Sequence, residues 1–140
     1  MATINSFEEL EVWKKSRILC NEIYVVTCIG SFERDFKLRD QINGSSGSIM
    51  DNISEGFERD GKNEFRQFLS IAKGSCGEVR SQLYRALDRK HINEEQFEKL
   101  KNQAEEISKQ LNSFIKYLNS VEIKGTKFKT TKPETSNLKT

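Results

Sequence analysis

Asn43-Gly44-Ser45-Ser46-Gly47-Ser48 is the stretch on which the fold turns. By composition it is a tether: Gly and Ser dominate, and each Gly costs about 1 kcal/mol relative to Ala inside a helix. Its flanks argue otherwise. Leu38 and Ile42 precede it, and Ile49, Ile53 and Phe57 follow at the helical steps of four and seven. The apolar period crosses the six polar residues without losing phase, which a tether would not require. The stretch therefore reads as the middle of a helix over about 37 to 58, one that packing must stabilise because propensity does not.

Working outward, Asp60-Gly61 makes a turn, and a third helix is predicted over about 62 to 90. Its apolar set is Phe65, Phe68, Leu69, Ala72, Cys76, Val79, Leu83, Ala86 and Leu87. Beside it runs a row of small residues, Ser70, Gly74, Gly77 and Ser81. Such a row predicts that another helix backbone comes close there. Upstream, Ser6 and Glu9 have the spacing of a capping box, and Phe7, Leu10, Trp13, Arg17, Cys20, Tyr24 and Thr27 share a face, giving a first helix over about 7 to 29. The run from Ile23 to Ile29 has strand propensity, but no second segment alternates well enough to pair with it. Gly30 is placed to stop this helix, and Ser31 to Phe36 reads as a connector. Downstream, Lys90-His91-Ile92 breaks the pattern and Asn93 with Gln96 forms a new capping box. The fourth helix carries Phe97, Leu100, Ala104, Ile107, Leu111, Phe114 and Leu118 on one face. Pro133 is the sole proline, so nothing before it forbids long helices. Four amphipathic helices with short connections make an all-α, antiparallel up-down-up-down four-helix bundle, a single domain over 1–121. Residues 122–140, rich in Lys, Thr, Gly and Ser, read as a disordered basic tail.

Charge is unevenly spread. The tail carries five Lys against two Glu, leaving 18 basic and 19 acidic residues in the body. A body so nearly neutral is not that of a strong nucleic-acid binder, although a basic arm can touch phosphates or acidic proteins; the plainer reading is a solubilising tail. Cys20, Cys28 and Cys76 form no Cys-x-x-Cys pair, which points to reduced thiols and a cytoplasmic location. No stretch approaches the roughly 18 apolar residues of a membrane span. No secretory signal opens the chain.

A catalytic signature is missing. His91 is the single histidine, placed in a helix–helix turn where it reads as a solvated residue. It cannot build a zinc site with three scattered cysteines, and no Glu-x-x-His motif supports a di-iron centre. A Ser nucleophile would need a base, and His91 is not evidently placed to serve. The glycines at 44 and 47, or 74 and 77, neither follow a strand nor precede a Lys-Ser/Thr pair, so no phosphate loop is expected. The expectation is a non-enzymatic protein with no catalytic residues, no metal, no cofactor and no small-molecule substrate. One polar row stands out: Gln41, Ser45, Ser48, Asn52, Glu55 and Arg59 recur at steps of three and four beside the apolar face of the second helix. Short hydroxyls and amides suit a tight interface, a solvated face or a recognition surface, and the sequence leaves the three open. Arg59, Lys62 and Arg66, interleaved with Phe57 and Phe65, are candidate phosphate contacts, diluted by Glu58, Asp60 and Glu64.

Several segments carry a family likeness. Phe7-Glu8-Glu9-Leu10-Glu11-Val12-Trp13 opens it, and Leu38-Arg39-Asp40-Gln41-Ile42 follows. The most specific parts are Ser48-Ile49-Met50-Asp51-Asn52-Ile53-Ser54-Glu55-Gly56 and Glu64-Phe65-Arg66-Gln67-Phe68-Leu69-Ser70-Ile71-Ala72-Lys73-Gly74-Ser75, with Glu78 beyond. Over about residues 6 to 118 the chain resembles a bacterial family called four helix bundle proteins, whose first members were found encoded within intervening sequences of the 23S ribosomal RNA gene. The resemblance implies a bundle that assembles into a ring, as a homopentamer. It implies no cofactor and no established enzymatic activity. It centres suggested partners on RNA or a ribosomal component; the alternative is a ring-shaped protein–protein adaptor. The family-marked positions, as surface or interface, are Gln41, Ser48, Asn52, Glu55, Arg59, Ser75 and Glu78.

Overall fold

A computed structural model describes residues 3–121, so the disorder expected over 122–140 lies outside the described residues. Five helices form: α1 (Glu11–Thr27), α2 (Gly30–Arg34), α3 (Phe36–Glu58), α4 (Lys62–Asp88) and α5 (Glu94–Asn119). No β-strand occurs among the described residues. The four long helices enclose one core, with α1 packed on α3 and α5, and α4 on α3 and α5. The contacts run in opposite directions along neighbours. Gln41 early in α3 meets Arg85 late in α4, and Glu22 late in α1 meets Lys99 early in α5. No described helix is long and apolar enough to cross a membrane.

The Gly/Ser stretch at 43–48 is helical throughout. Ile42, Ile49 and Ile53 are wholly buried on either side of it, and Ser45 and Ser46 are buried with them. Their hydroxyls donate to carbonyls of their own helix, Ser45 Oγ to Gln41 O at 2.9 Å and Ser46 Oγ to Asn43 O at 3.3 Å. Burial of the apolar face thus overrides a weak local propensity.

The helix ends differ from the sequence expectation in three places. Residues Phe7–Glu9 form a 3-10 turn, and α1 proper begins only at Glu11. Leu10 between them is extended and wholly buried, and directing that side chain into the core interrupts the helix. Ser6 Oγ reaches the Glu9 carboxylate at 3.4 Å but caps no backbone N–H. The connector after α1 holds the short helix α2. It starts at Gly30, whose φ of +60° is the left-handed conformation glycine adopts without strain, and it buries Phe32 completely. The third difference lies after α4. Lys90 is left-handed at φ 62°, Lys90 N–H donates to Leu87 O, and His91 N–H donates to Ala86 O, both at 2.9 Å. This is a Schellman closure built on Lys where Gly is usual. It swings His91 inward, so the solvated turn residue expected from sequence is in fact one with a largely buried ring. At the start of α5 the Asn93–Gln96 capping box forms as its spacing predicts.

The small residues of α4 also differ from expectation. Ser70, Gly74 and Ser81 face solvent. A Cβ built on Gly44, Gly47, Gly74 or Gly77 would meet nothing within 4 Å. Among the described residues no helix approaches those rows, because the apolar set of α4 rotates its core face to the other side. Close approach occurs elsewhere, at Gly56, where a Cβ would lie 2.6 Å from Phe68 Cβ.

Candidate functional site

The polar row of α3 lies along its seam with α4. Ser48 is the hub. Ser75 Oγ on α4 donates to Ser48 Oγ at 3.0 Å, and Asn52 Nδ2 donates to Ser48 O at 2.8 Å and Ser48 Oγ at 2.9 Å. At one end of the seam Arg85 donates to Gln41 Oε1 at 3.0 Å. At the other, Arg59 pairs with Glu55 at 2.9 Å, reaches Glu64 at 4.0 Å and lies 5.1 Å over the Phe68 ring. Glu78 is exposed on α4. Gln41, Ser48, Asn52 and Ser75 are therefore joined within one protomer: short polar side chains satisfy one another where two helices meet. Outward of the seam on α3, Gly44 and Gly47 leave a shallow hollow of about 390 Å³, bordered by Asp51 and Glu55.

Arg59, Lys62 and Arg66 are brought to one end of the bundle. Each has a partner in the chain already. Lys62 Nζ donates to Val121 O at 2.9 Å, and Arg66 donates to the side-chain oxygens of Asn63 and Asn119. A phosphate would have to compete for these donors.

The opposite end carries a cluster the sequence did not suggest. His91 Nδ1 lies 2.7 Å from Ser31 Oγ, and its Nε2 lies 2.8 Å from Asp35 Oδ2. The ring stacks on Phe32, centroids 4.9 Å apart, and its side chain is only 9% exposed. Asp35 also accepts from Arg89 at 2.9 Å and caps α3 by accepting from Leu38 N–H at 3.4 Å. The His91 hydrogen bond first, then Arg89, hold the Asp35 carboxyl down at about 2. An ionised carboxylate only accepts, so a neutral His91 ring donates from Nε2 to Asp35 and accepts the Ser31 hydroxyl's hydrogen bond at Nδ1. His91 joins this unit from 56 positions beyond Asp35 and 60 beyond Ser31, and no local spacing foretells it.

The thiols are unlike one another. Cys76 is buried in the core, and burial pushes its thiol up to about 12; Cys28 is exposed. Among the described residues no group of three or more His, Cys, Asp or Glu is placed to hold a metal ion.

The surface of α1 carries the clearest apolar feature. Ile18 and Val25, seven apart on α1, and Ile29, just beyond its end, are exposed by 51%, 55% and 59%. Beside them an apolar groove of about 320 Å³ opens between α1 and α5, lined in part by Val25, Val26 and Leu100.

Comparisons place the chain among known proteins. Residues 8–113 match the family described as 23S rRNA-intervening sequence protein. A crystal structure of a protein of unknown function from the S23 ribosomal protein family of Bacteroides thetaiotaomicron VPI-5482 is similar in fold, with a TM-score of 0.69 and 30% identity over 75% of this chain and 98% of that one. No curated protein matches. The family match spans most of the chain and every element of the bundle, and on that ground the chain belongs to the 23S rRNA-intervening sequence protein family.

Proposed function

We propose that this protein is an up-down-up-down four-helix bundle that assembles with copies of itself into a ring and binds a macromolecule, RNA first, without catalysing a reaction. The observation that carries the assembly is the exposed row Ile18, Val25 and Ile29 beside the α1–α5 groove. A monomer in water would leave that apolar area wet, and a second protein surface would cover it. The ring size the resemblance implies is five. RNA is favoured by the family's association with the 23S ribosomal RNA gene and by the five lysines beyond residue 121. A ring multiplies such arms and gives several weak phosphate contacts high combined affinity. The family-marked residues of the α3–α4 seam then hold the protomer in shape, and Arg59, Lys62 and Arg66 exchange internal partners for phosphate. Reduced cysteines fit a cytoplasmic location.

The second reading is a protein–protein adaptor. It is favoured by the internal partners of Arg59, Lys62 and Arg66, which leave the described body without a concentrated field for phosphates. Light scattering of the purified protein tests the assembly, and filter binding to 23S ribosomal RNA across a salt series tests the partner. RNA binding is expected to weaken steeply as salt rises, because phosphate contacts release counterions. No retention at low salt refutes RNA and leaves the adaptor; a monomer at all concentrations refutes both.

A further inference from the structure

We propose that Ser31 is a nucleophilic serine, an acceptor that takes one acyl group from an activated ester or thioester, with His91 as its base and Asp35 as the residue that positions the base. This goes beyond the binding of a macromolecule and asks for no turnover. The sequence offers no serine an evident base, yet the folded chain sets His91 Nδ1 2.7 Å from Ser31 Oγ. That lies within the roughly 2.6–3.2 Å over which a base takes a hydroxyl proton. Other serine hydroxyls are spent on their own helices: Ser45, Ser46 and Ser54 donate to backbone carbonyls. Ser31 meets the sole imidazole of the chain.

The arrangement has the three parts an activated hydroxyl needs: a nucleophile, a base, and a group that orients the base. Ser31 is exposed, so an incoming carbonyl carbon reaches its oxygen. The His91 Nε2 hydrogen is held by Asp35 at 2.8 Å, which leaves the lone pair on Nδ1 aimed at the hydroxyl. Leu38 N–H and Arg89 hold the Asp35 carboxylate from two further directions, and with its carboxyl down at about 2 it is ionised at neutral pH. The stack on Phe32 and the burial of the ring keep the imidazole from turning away. In the step itself, Ser31 Oγ bonds to the acyl carbon as its proton passes to Nδ1. The imidazolium so formed is stabilised by the Asp35 carboxylate. The bond from the acyl carbon to the leaving oxygen or sulfur then breaks, and the proton departs on that atom. His91 returns to its neutral form and nothing is oxidised or reduced.

Offering p-nitrophenyl acetate to the full chain tests this, with the acetyl group placed by mass spectrometry of peptides. Ser31 is expected to take the acetyl about 100-fold faster than Ser70, an exposed serine of α4 with no imidazole beside it, because general-base assistance contributes on that order. Ser31→Ala should leave that peptide unlabelled, and His91→Gln should bring Ser31 down to the Ser70 rate. Asp35→Asn should slow Ser31 by roughly tenfold or more, although hydroxyl and imidazole both remain, because Nε2 loses its carboxylate. Circular dichroism verifies that the variants fold. Ser31→Cys reads the same base without touching His91: its thiol should react with iodoacetamide faster than the exposed Cys28. Ser31 acetylated no faster than Ser70, an undiminished rate in folded His91→Gln, or a thiol in Ser31→Cys no faster than Cys28 would each overturn the assignment. None of these readouts depends on assembly or on RNA.

Discussion

Gly56→Ala should be the most costly single-methyl addition to this bundle. The new Cβ would lie 2.6 Å from Phe68 Cβ, 3.1 Å from Phe65 Cδ1 and 3.3 Å from Phe68 Cγ. Phe68 Cβ is fixed to the backbone of α4, so no rotation relieves the first contact, and α3 and α4 must part. Overpacking of this kind costs about 1–3 kcal/mol, and a contact that cannot rotate away belongs at the upper end. The gain in helix propensity from Gly to Ala returns about 1 kcal/mol. The net expectation is a loss of about 2 kcal/mol. Gly74→Ala is the control, because its Cβ meets nothing within 4 Å and should collect the propensity gain in full. The two variants should therefore differ by about 3 kcal/mol, on the order of a hundredfold in the folding equilibrium. Urea unfolding reads the difference as a shift in midpoint at similar slope, with protomer concentration held constant because assembly adds apparent stability. Equal stability of Gly56→Ala and Gly74→Ala would refute the idea that α3 and α4 touch backbone to side chain at Gly56.

Two further outcomes follow from the ends and the core of the bundle. Asp35 has its carboxyl lowered from about 3.8 to about 2 by His91 and Arg89, so its stabilising contribution is complete above the unfolded value and is lost as pH falls from about 4 toward 2; acid unfolding of Asp35→Asn should lack that part of the pH dependence. Iodoacetamide at pH 8 should modify exposed Cys28 in the native protein and leave Cys76 untouched until denaturant is added, because burial holds Cys76 as the unreactive thiol; mass spectrometry of the peptides gives the order, and early labelling of Cys76 would contradict its place in the core.

The long helices were legible because the apolar period survives even where local propensity is poor. Leu38 to Phe57 keep phase through Gly44 and Gly47, and the core uses that phase. Periodicity places residues on a common face without saying what lies opposite. The row Ser70, Gly74, Gly77 and Ser81 was therefore visible as a row, yet its outward direction was not. Ser75, one position off that row, is the α4 residue that reaches α3. Of the marked polar residues, Ser48, Asn52 and Ser75 do converge, while Gln41 lies farther along the same seam with Arg85, because steps of three and four follow it. The Ser31–Asp35–His91 cluster was hidden for a different reason. It depends on a left-handed Lys90, where no Gly marks the turn, and on a five-residue helix too short to show an apolar period.

Asp35 gives that end of the molecule a shared fastening. One carboxylate holds the first turn of α3 through Leu38, the last turn of α4 through Arg89, and the α4–α5 corner through His91. The α2 corner hangs on the same point through Ser31 and the Phe32–His91 stack. Neither corner can peel from the body by itself without stranding an imidazole or an anion, so the two linkers fray in concert, and strain applied at either one is felt at the other.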